Sequence, residues 1–258
     1  MNEKENMNIA EPYFDNEEIR LVQEALDSKW VTQGAKTKEF EDLMVKKHKV
    51  KYALATTSCT AALHLSTLTL DIKPGDEVIV PAFTWVTSAS AIEYVGAKAV
   101  FADIDLNTFN INPSALKNAL TKKTKAIVVV HLFGKAAPMD EIMKIARENN
   151  LAVIEDAACA IGTKYKSIPV GGIGDLGCFS FHPRKVITTG EGGMVTTNNL
   201  ELANKIQSLR NHGATGIEKN IDPTRPYAMS NFNMLGYNLR ISDIQAAVGI
   251  AQMAKLNR

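Results

Sequence analysis

A lysine amine attacks a carbonyl carbon once it can shed its proton, and one lysine of this chain stands where that reactivity would be useful. Lys185 falls in CFSFHPRKVITTGEGGMVTTNN, residues 178–199, in a short polar loop between apolar runs and just before a glycine-rich turn. The ordinary alternative is a solvated surface charge, one of 29 lysines and arginines. Three further stretches carry residues of chemical interest. In TTSCTAAL, Ser58, Cys59 and Thr60 lead into a helix whose free amides and dipole would take a phosphate, the Ser58 and Thr60 hydroxyls adding donors. A plain N-cap explains the same residues. In VIEDAACA, Asp156 ends a buried run, where a carboxylate needs either a partner group or a helix terminus to cap. In VPAFTWVTS, Trp85 follows a strand end, as a ring platform for a ligand or as core or rim packing.

The elements that position these residues alternate regularly from residue 52. YALAT (52–56) reads as a strand and TAALHLSTLTL (60–70) as a helix with an apolar stripe. IKPGDEVIVPA gives a turn and a strand ending at Pro81, and TSASAIEYVG a helix stopping at Gly96. AKAVFADI is a strand, and PSALKNAL opens a helix with proline in its first turn. KAIVVVHLFG reads as a fully apolar strand, PMDEIMKIARENN as a helix and LAVIEDA as another buried strand. Continuous Val/Ile runs between helices predict an open α/β sheet, mostly parallel and covered on both faces. Ligands of such sheets bind at the carboxyl ends of the strands, where the four stretches fall.

Composition removes several classes of function. Twenty-nine basic against 28 acidic residues leave a net charge of +1, which gives no field for nucleic acid or an anionic membrane. No apolar run reaches the roughly 18 residues of a membrane helix. The polar opening MNEKENMNIAEPYF lacks the apolar core of a signal peptide, so the expectation is a cytoplasmic protein. Cys59, Cys159 and Cys178 show neither pairing parity nor metal spacing. His131, His182 and His212 are likewise ungrouped and read as structural or local polar residues, and His64 as locally satisfied; no metal is expected. The glycines of GGIGDLG and TTGEGG fit neither nucleotide fingerprint. A nicotinamide-binding Rossmann enzyme fails because the first strand–helix turn, ATTSCTAAL, has no glycine.

In combination the four stretches fit a pyridoxal phosphate site. A helix start takes the phosphate, an aromatic ring stacks on the cofactor, a buried aspartate holds the pyridine nitrogen protonated, and a lysine forms a Schiff base with the aldehyde. The sequence then resembles the DegT/DnrJ/EryC1/StrS family of sugar aminotransferases, from about Glu11 to its last residue. The likeness is carried by WVTQGAKTKEFE, CTAALHL, PGDEVIVPAFTWVTSA, VHLFG, IEDAACAIG, FSFHPRKVITTGEGG, LRNHG and GYNLRISDIQAAVGIAQMAKL. That resemblance implies the large domain of a fold type I enzyme, with a mostly parallel sheet of about seven strands. It makes Lys185 the catalytic Schiff-base lysine, Asp156 the pyridinium partner and Trp85 the stacking ring. Ser58, Thr60 and Ser180 would hold the phosphate with the Cys59 amide, and Asn238 would reach the phosphate of a neighbouring subunit in a homodimer.

Three positions depart from the family. Cys59 stands where glycine is frequent, Cys159 where a glutamine often contacts the cofactor's ring oxygen, and Lys135 where an uncharged residue is more usual. Cys159 is accordingly expected to pack near the cofactor or act as a weak donor. The resemblance implies an N-terminal arm over 1–14 and a large domain over 15–258, with the family's smaller C-terminal domain absent or truncated after 258. The implied reaction moves an amino group from an amino acid, L-glutamate first, to the keto group of a nucleotide-linked sugar. TTGEGG with Glu191, and RNHG, lean it toward C4. The alternatives are a non-catalytic large-domain fragment with a dimerisation or regulatory role, and a family dehydratase, in which histidine replaces the lysine that this chain keeps. ISDIQAAVGIAQM fits a dimer contact or an internal core helix alike.

Overall fold

Strand register decides which of the candidate residues meet. In the computed structural model, which describes residues 10–217 and 230–256, helices α1 (Asn16–Asp27) and α2 (Ala35–His48) come first. Then follow β1 (Tyr52–Thr56), α3 (Cys59–Thr69), β2 (Glu77–Pro81), α4 (Thr87–Glu93), β3 (Lys98–Ala102), α5 (Pro113–Asn118), β4 (Thr124–Val130), α6 (Met139–Glu148) and β5 (Ala152–Asp156). The short strands β6 (Lys164–Tyr165) and β7 (Ile168–Pro169) precede β8 (Leu176–Ser180), β9 (Gly193–Thr197) and α7 (Leu200–Leu209). A further antiparallel pair, β10 (Ala214–Ile217) with β11 (Ser230–Phe232), leads to α8 (Asp243–Lys255).

The main sheet has seven strands in the order β1-β9-β8-β5-β4-β2-β3. Strands β8, β5, β4, β2 and β3 pair in parallel, and β9 runs antiparallel to both β8 and β1. Six strands therefore share one direction, and their carboxyl ends lie along one edge. Side-chain alternation explains how both faces are buried. On one face Leu54, Val78, Val128, Ile154 and Val195 pack under α3, α4 and α7 through Leu63, Ile92 and Ile206. On the other, Phe179 and Met194 meet α1, α2 and α8 through Leu21, Phe40 and Ile250. Ile79, Ile127, Val129 and Val153, also on this second face, meet α5 and α6 through Leu116 and Ile142.

The helix starts follow local chemistry. Pro113 opens α5 and the Asn112 side chain accepts from the amides of Ser114 and Ala115. Capping boxes begin α1 (Asp15 with Glu18) and α8 (Ser242 with Gln245). One expectation needs correcting. KAIVVVHLFG is not strand throughout: β4 ends at Val130, and residues 132–134 form a single 3-10 turn in which Phe133 has φ of 52°. Apolar character alone did not distinguish strand from the turn that follows it. The segment ISDIQAAVGIAQM packs inside its own chain as α8. Its Asp243 carboxylate accepts from the amides of Gly34 (2.7 Å), Lys36 (3.1 Å) and Thr37 (2.9 Å), so α8 caps α2 from a distance of more than 200 residues along the chain.

Candidate active site

Asp156 is the last residue of β5, and the sheet edge it reaches opens into a cavity of about 320 Å³. Its carboxylate is 5% exposed and accepts from the Ser88 hydroxyl at 2.7 Å and the Ala158 amide at 3.2 Å. Ser88 lies in α4 and shares a hydrogen bond of 2.9 Å with the Thr84 hydroxyl. Burial pushes the Asp156 carboxyl up, against the pull of Ser88, the Ala158 amide and the charge of Lys185. The result is a buried acid with few neutral donors and a single lysine charge near it.

Lys185 sits in the connection between β8 and β9, half-buried, and lines the same cavity. Its amide donates to the His182 carbonyl at 2.8 Å, closing a turn, and its Nζ donates to Cys159 Sγ at 3.1 Å. Cys159 is thus an acceptor toward the lysine. His182 Nδ1 accepts the Arg184 amide at 3.2 Å, so the neutral ring carries its proton on Nε2. Ser180 closes β8 at the cavity wall, where its hydroxyl accepts the His182 amide at 3.4 Å.

Opposite them stands the start of α3. Ser58 is its N-cap, accepting from the Ala61 amide at 3.1 Å, which leaves the hydroxyl proton free to donate outward. Cys59 and Thr60, whose amides the helix itself cannot satisfy, line the cavity beside Ser58. Gly193 makes this packing possible: a Cβ there would lie 2.3 Å from the Ser58 carbonyl carbon and 2.6 Å from the Cys59 nitrogen. The capping and anion-binding readings of TTSCTAAL are therefore compatible. Trp85 is 70% exposed and forms part of the rim, which excludes the core-packing reading.

Asn238 is placed apart. It is exposed, pairs with Asn211 as an isolated antiparallel bridge, and does not line the cavity. Lys135 is also outside the site, its Nζ donating to the Asn107 carbonyl at 3.3 Å. His131 and His64 are held locally, His131 by Glu155 and the Ala137 amide, His64 by edge-on contacts with Tyr94 and Tyr237. Among the described residues no group of His, Cys, Asp and Glu could hold a metal ion. Sequence reasoning missed Ser88 and Thr84, which hold Asp156, and the cavity positions of His182 and Arg184. The hydroxyls in FTWVTSAS were the only trace of the first pair, and nothing in the sequence ties Ser88 to an aspartate 68 residues later.

Comparison with known proteins places this arrangement in a family. A model described as the DegT/DnrJ/EryC1/StrS aminotransferase family matches residues 12–258, and the chain belongs to that family. It is 46% identical over 249 residues to an uncharacterised protein of Methanocaldococcus jannaschii, covering 95% of this chain and 63% of that protein. It is 42% identical over 258 residues to a GDP-perosamine synthase of Caulobacter vibrioides, covering 100% of this chain and 67% of the synthase. Among solved structures, the PLP form of a sugar aminotransferase from Streptococcus pneumoniae superposes with a TM-score of 0.90 at 32% identity, over 98% of this chain and 67% of that one. The chain thus spans about two thirds of the length of these relatives. Its α/β architecture is the fold type I large domain that the resemblance implied.

Proposed function

We propose that this chain carries the cofactor-binding large domain of a pyridoxal phosphate-dependent aminotransferase acting on a nucleotide-linked keto sugar. One observation carries the reading: a lysine amine and a buried, raised-pKa carboxylate share a single cavity with the start of α3. That residue set fits the cofactor. Asp156 accepts from only two neutral donors, so a protonated pyridine nitrogen would offset the cost of its burial. Ser58, Thr60 and the Cys59 amide supply donors suited to a phosphate, with Ser180 on the adjoining wall. Trp85 offers its ring at the rim.

When bound, pyridoxal phosphate supplies an electron sink for the pair left as a proton leaves the donor's α-carbon. Lys185, whose side chain lines the cavity, would hold the cofactor through Nζ and, as a free amine, would carry that proton as a general base and acid. Asp156 would hold the ring nitrogen protonated, and Ser88 and the Ala158 amide fix its two oxygens for the task. L-glutamate is the proposed donor. Glu191, in TTGEGG, lines the cavity and goes with the proposed amination at C4. The name of the Caulobacter relative supports a nucleotide-linked substrate.

Residues 15–258 form the proposed large domain and 1–14 an arm, of which 1–9 lie outside the described residues. A homodimer with shared sites gives Asn238 its role, at the partner's phosphate. The protein is proposed to be cytoplasmic; no described helix is long and apolar enough to cross a membrane. A non-catalytic dimerisation or regulatory fragment is not favoured, because lysine and acid are both kept. The dehydratase reading fails on Lys185. Incubating the purified protein with cofactor, L-glutamate and a nucleotide-linked 4-keto sugar tests the proposal. The expected product carries nitrogen at C4, and Lys185→Ala lowers the rate by ~1000-fold or more. A Lys185→Ala protein of full activity would refute the assignment.

A further inference from the structure

We propose that Cys159 and Lys185 form a redox couple in which a peroxide joins Sγ to Nζ as a sulfenamide, closing the lysine to carbonyl chemistry. The two atoms are 3.1 Å apart, already in donor–acceptor contact, and both side chains line the same cavity. Cys159 is the one cysteine of three that is not buried. Cys178 is enclosed in the core against the Ser66 hydroxyl, and burial pushes the thiols of Cys59 and Cys178 up, so both stay protonated at neutral pH. Cys159 is instead open to the cavity, with its Sγ in contact with the Lys185 amine.

The chemistry balances with hydrogen peroxide as the two-electron oxidant. Sγ attacks one peroxide oxygen, the O–O bond breaks, and the departing hydroxide leaves as water with the thiol proton; the product is a sulfenic acid. The unprotonated Nζ then attacks Sγ, the S–O bond breaks, and a second water leaves with a proton from nitrogen. Thiol, amine and one peroxide thus give the S–N bond and two waters, with sulfur oxidised and peroxide reduced. A dithiol reverses the change, restoring the thiol and the free amine. The 3.1 Å contact puts the lysine amine within reach of a sulfenic acid at this position. That the bridge blocks cofactor attachment rests on the proposed role of Lys185, whereas the bridge itself does not.

The test treats purified, cofactor-free protein with hydrogen peroxide, then alkylates, digests and sequences the peptides by mass spectrometry. The expected product is a linked pair of peptides joined at Cys159 and Lys185, two hydrogens lighter than their sum. It should be lost on treatment with dithiothreitol and wholly absent from Cys159→Ser and Lys185→Arg, both checked for native circular dichroism. Three results would overturn the proposal: Cys159 carried to a sulfinic or sulfonic acid with Lys185 unlinked, a disulfide with Cys59, or an unmodified Cys159. A second arm preincubates the protein with pyridoxal phosphate, which should suppress the bridge. A bridge formed equally with and without the cofactor would uphold the redox couple and refute the cofactor-binding role of Lys185.

Discussion

Glu155 and Asp156 are consecutive carboxylates at the end of β5, both buried, and the fold treats them in opposite ways. Their side chains emerge on opposite faces of the sheet. Glu155 is saturated: it accepts from His131 Nε2 at 2.9 Å and from the amides of Gly171, Ile173 and Gly174 at 2.7 to 2.8 Å. Burial by itself would raise its pKa, but His131 and those amides outweigh it and hold the carboxyl below the usual range. Asp156 has one hydroxyl and one amide, and burial prevails. A structural carboxylate is one whose lone pairs are spent within the fold. Asp156, the proposed functional one, is left short of partners beside a cavity, and the fold bears the cost.

Substitution should separate the two roles. The largest effect falls on Asp156→Ala, which removes the partner of the proposed pyridinium. Affinity for pyridoxal phosphate, read by absorbance titration, should fall by about 100-fold or more. Glu155→Gln should leave that affinity intact in the folded protein but cost about 3 kcal/mol of stability by urea unfolding, since four donors lose their charged acceptor. Equal effects of the two changes on binding would erase the distinction.

A second contrast is with His48, a buried group whose charge is excluded with no catalytic purpose. Its Nδ1 lies 2.9 Å from the Val170 carbonyl, its ring packs against Phe179, and burial pushes its pKa down to about 4. The unfolded chain binds the proton first, so stability is complete above pH 6.5 and falls as pH drops from there toward 4. The expected loss is about 3 kcal/mol across that window, and His48→Phe should flatten it.

A smaller effect, of opposite sign to the first, belongs to Asp156→Asn. Because the folded carboxyl is raised, its ionisation costs stability as pH climbs through that value. The variant should therefore gain cofactor-free stability at neutral pH by urea unfolding, a gain that vanishes in acid below pH 3.8. Lys166→Ala, which breaks an exposed pair with Asp140, should leave the melting temperature unmoved.

What the sequence disclosed follows from the range over which each feature is encoded. Ser58, Asp156 and Lys185 stand at strand ends marked by short apolar runs, so their placement on one sheet edge was legible from local pattern. The short turn after β4 was not, because HLFG is as apolar as the strand before it. Nor was the contrast between the two carboxylates: IEDAA shows two acids, while their donors come from α4, the His131 turn and residues 171–174. Cys159 illustrates the same limit. Its departure from the family pattern was visible, whereas its contact with Lys185 depends on how β5 and β8 pair.

The central claim is that Lys185 is the cofactor's attachment point. The most direct measurement is an absorbance spectrum of the purified chain with pyridoxal phosphate, followed by borohydride reduction and peptide mapping. A yellow band that reduction traps on Lys185 is the predicted result. A label carried by another lysine, such as Lys135, or the failure of any band to form, would contradict it.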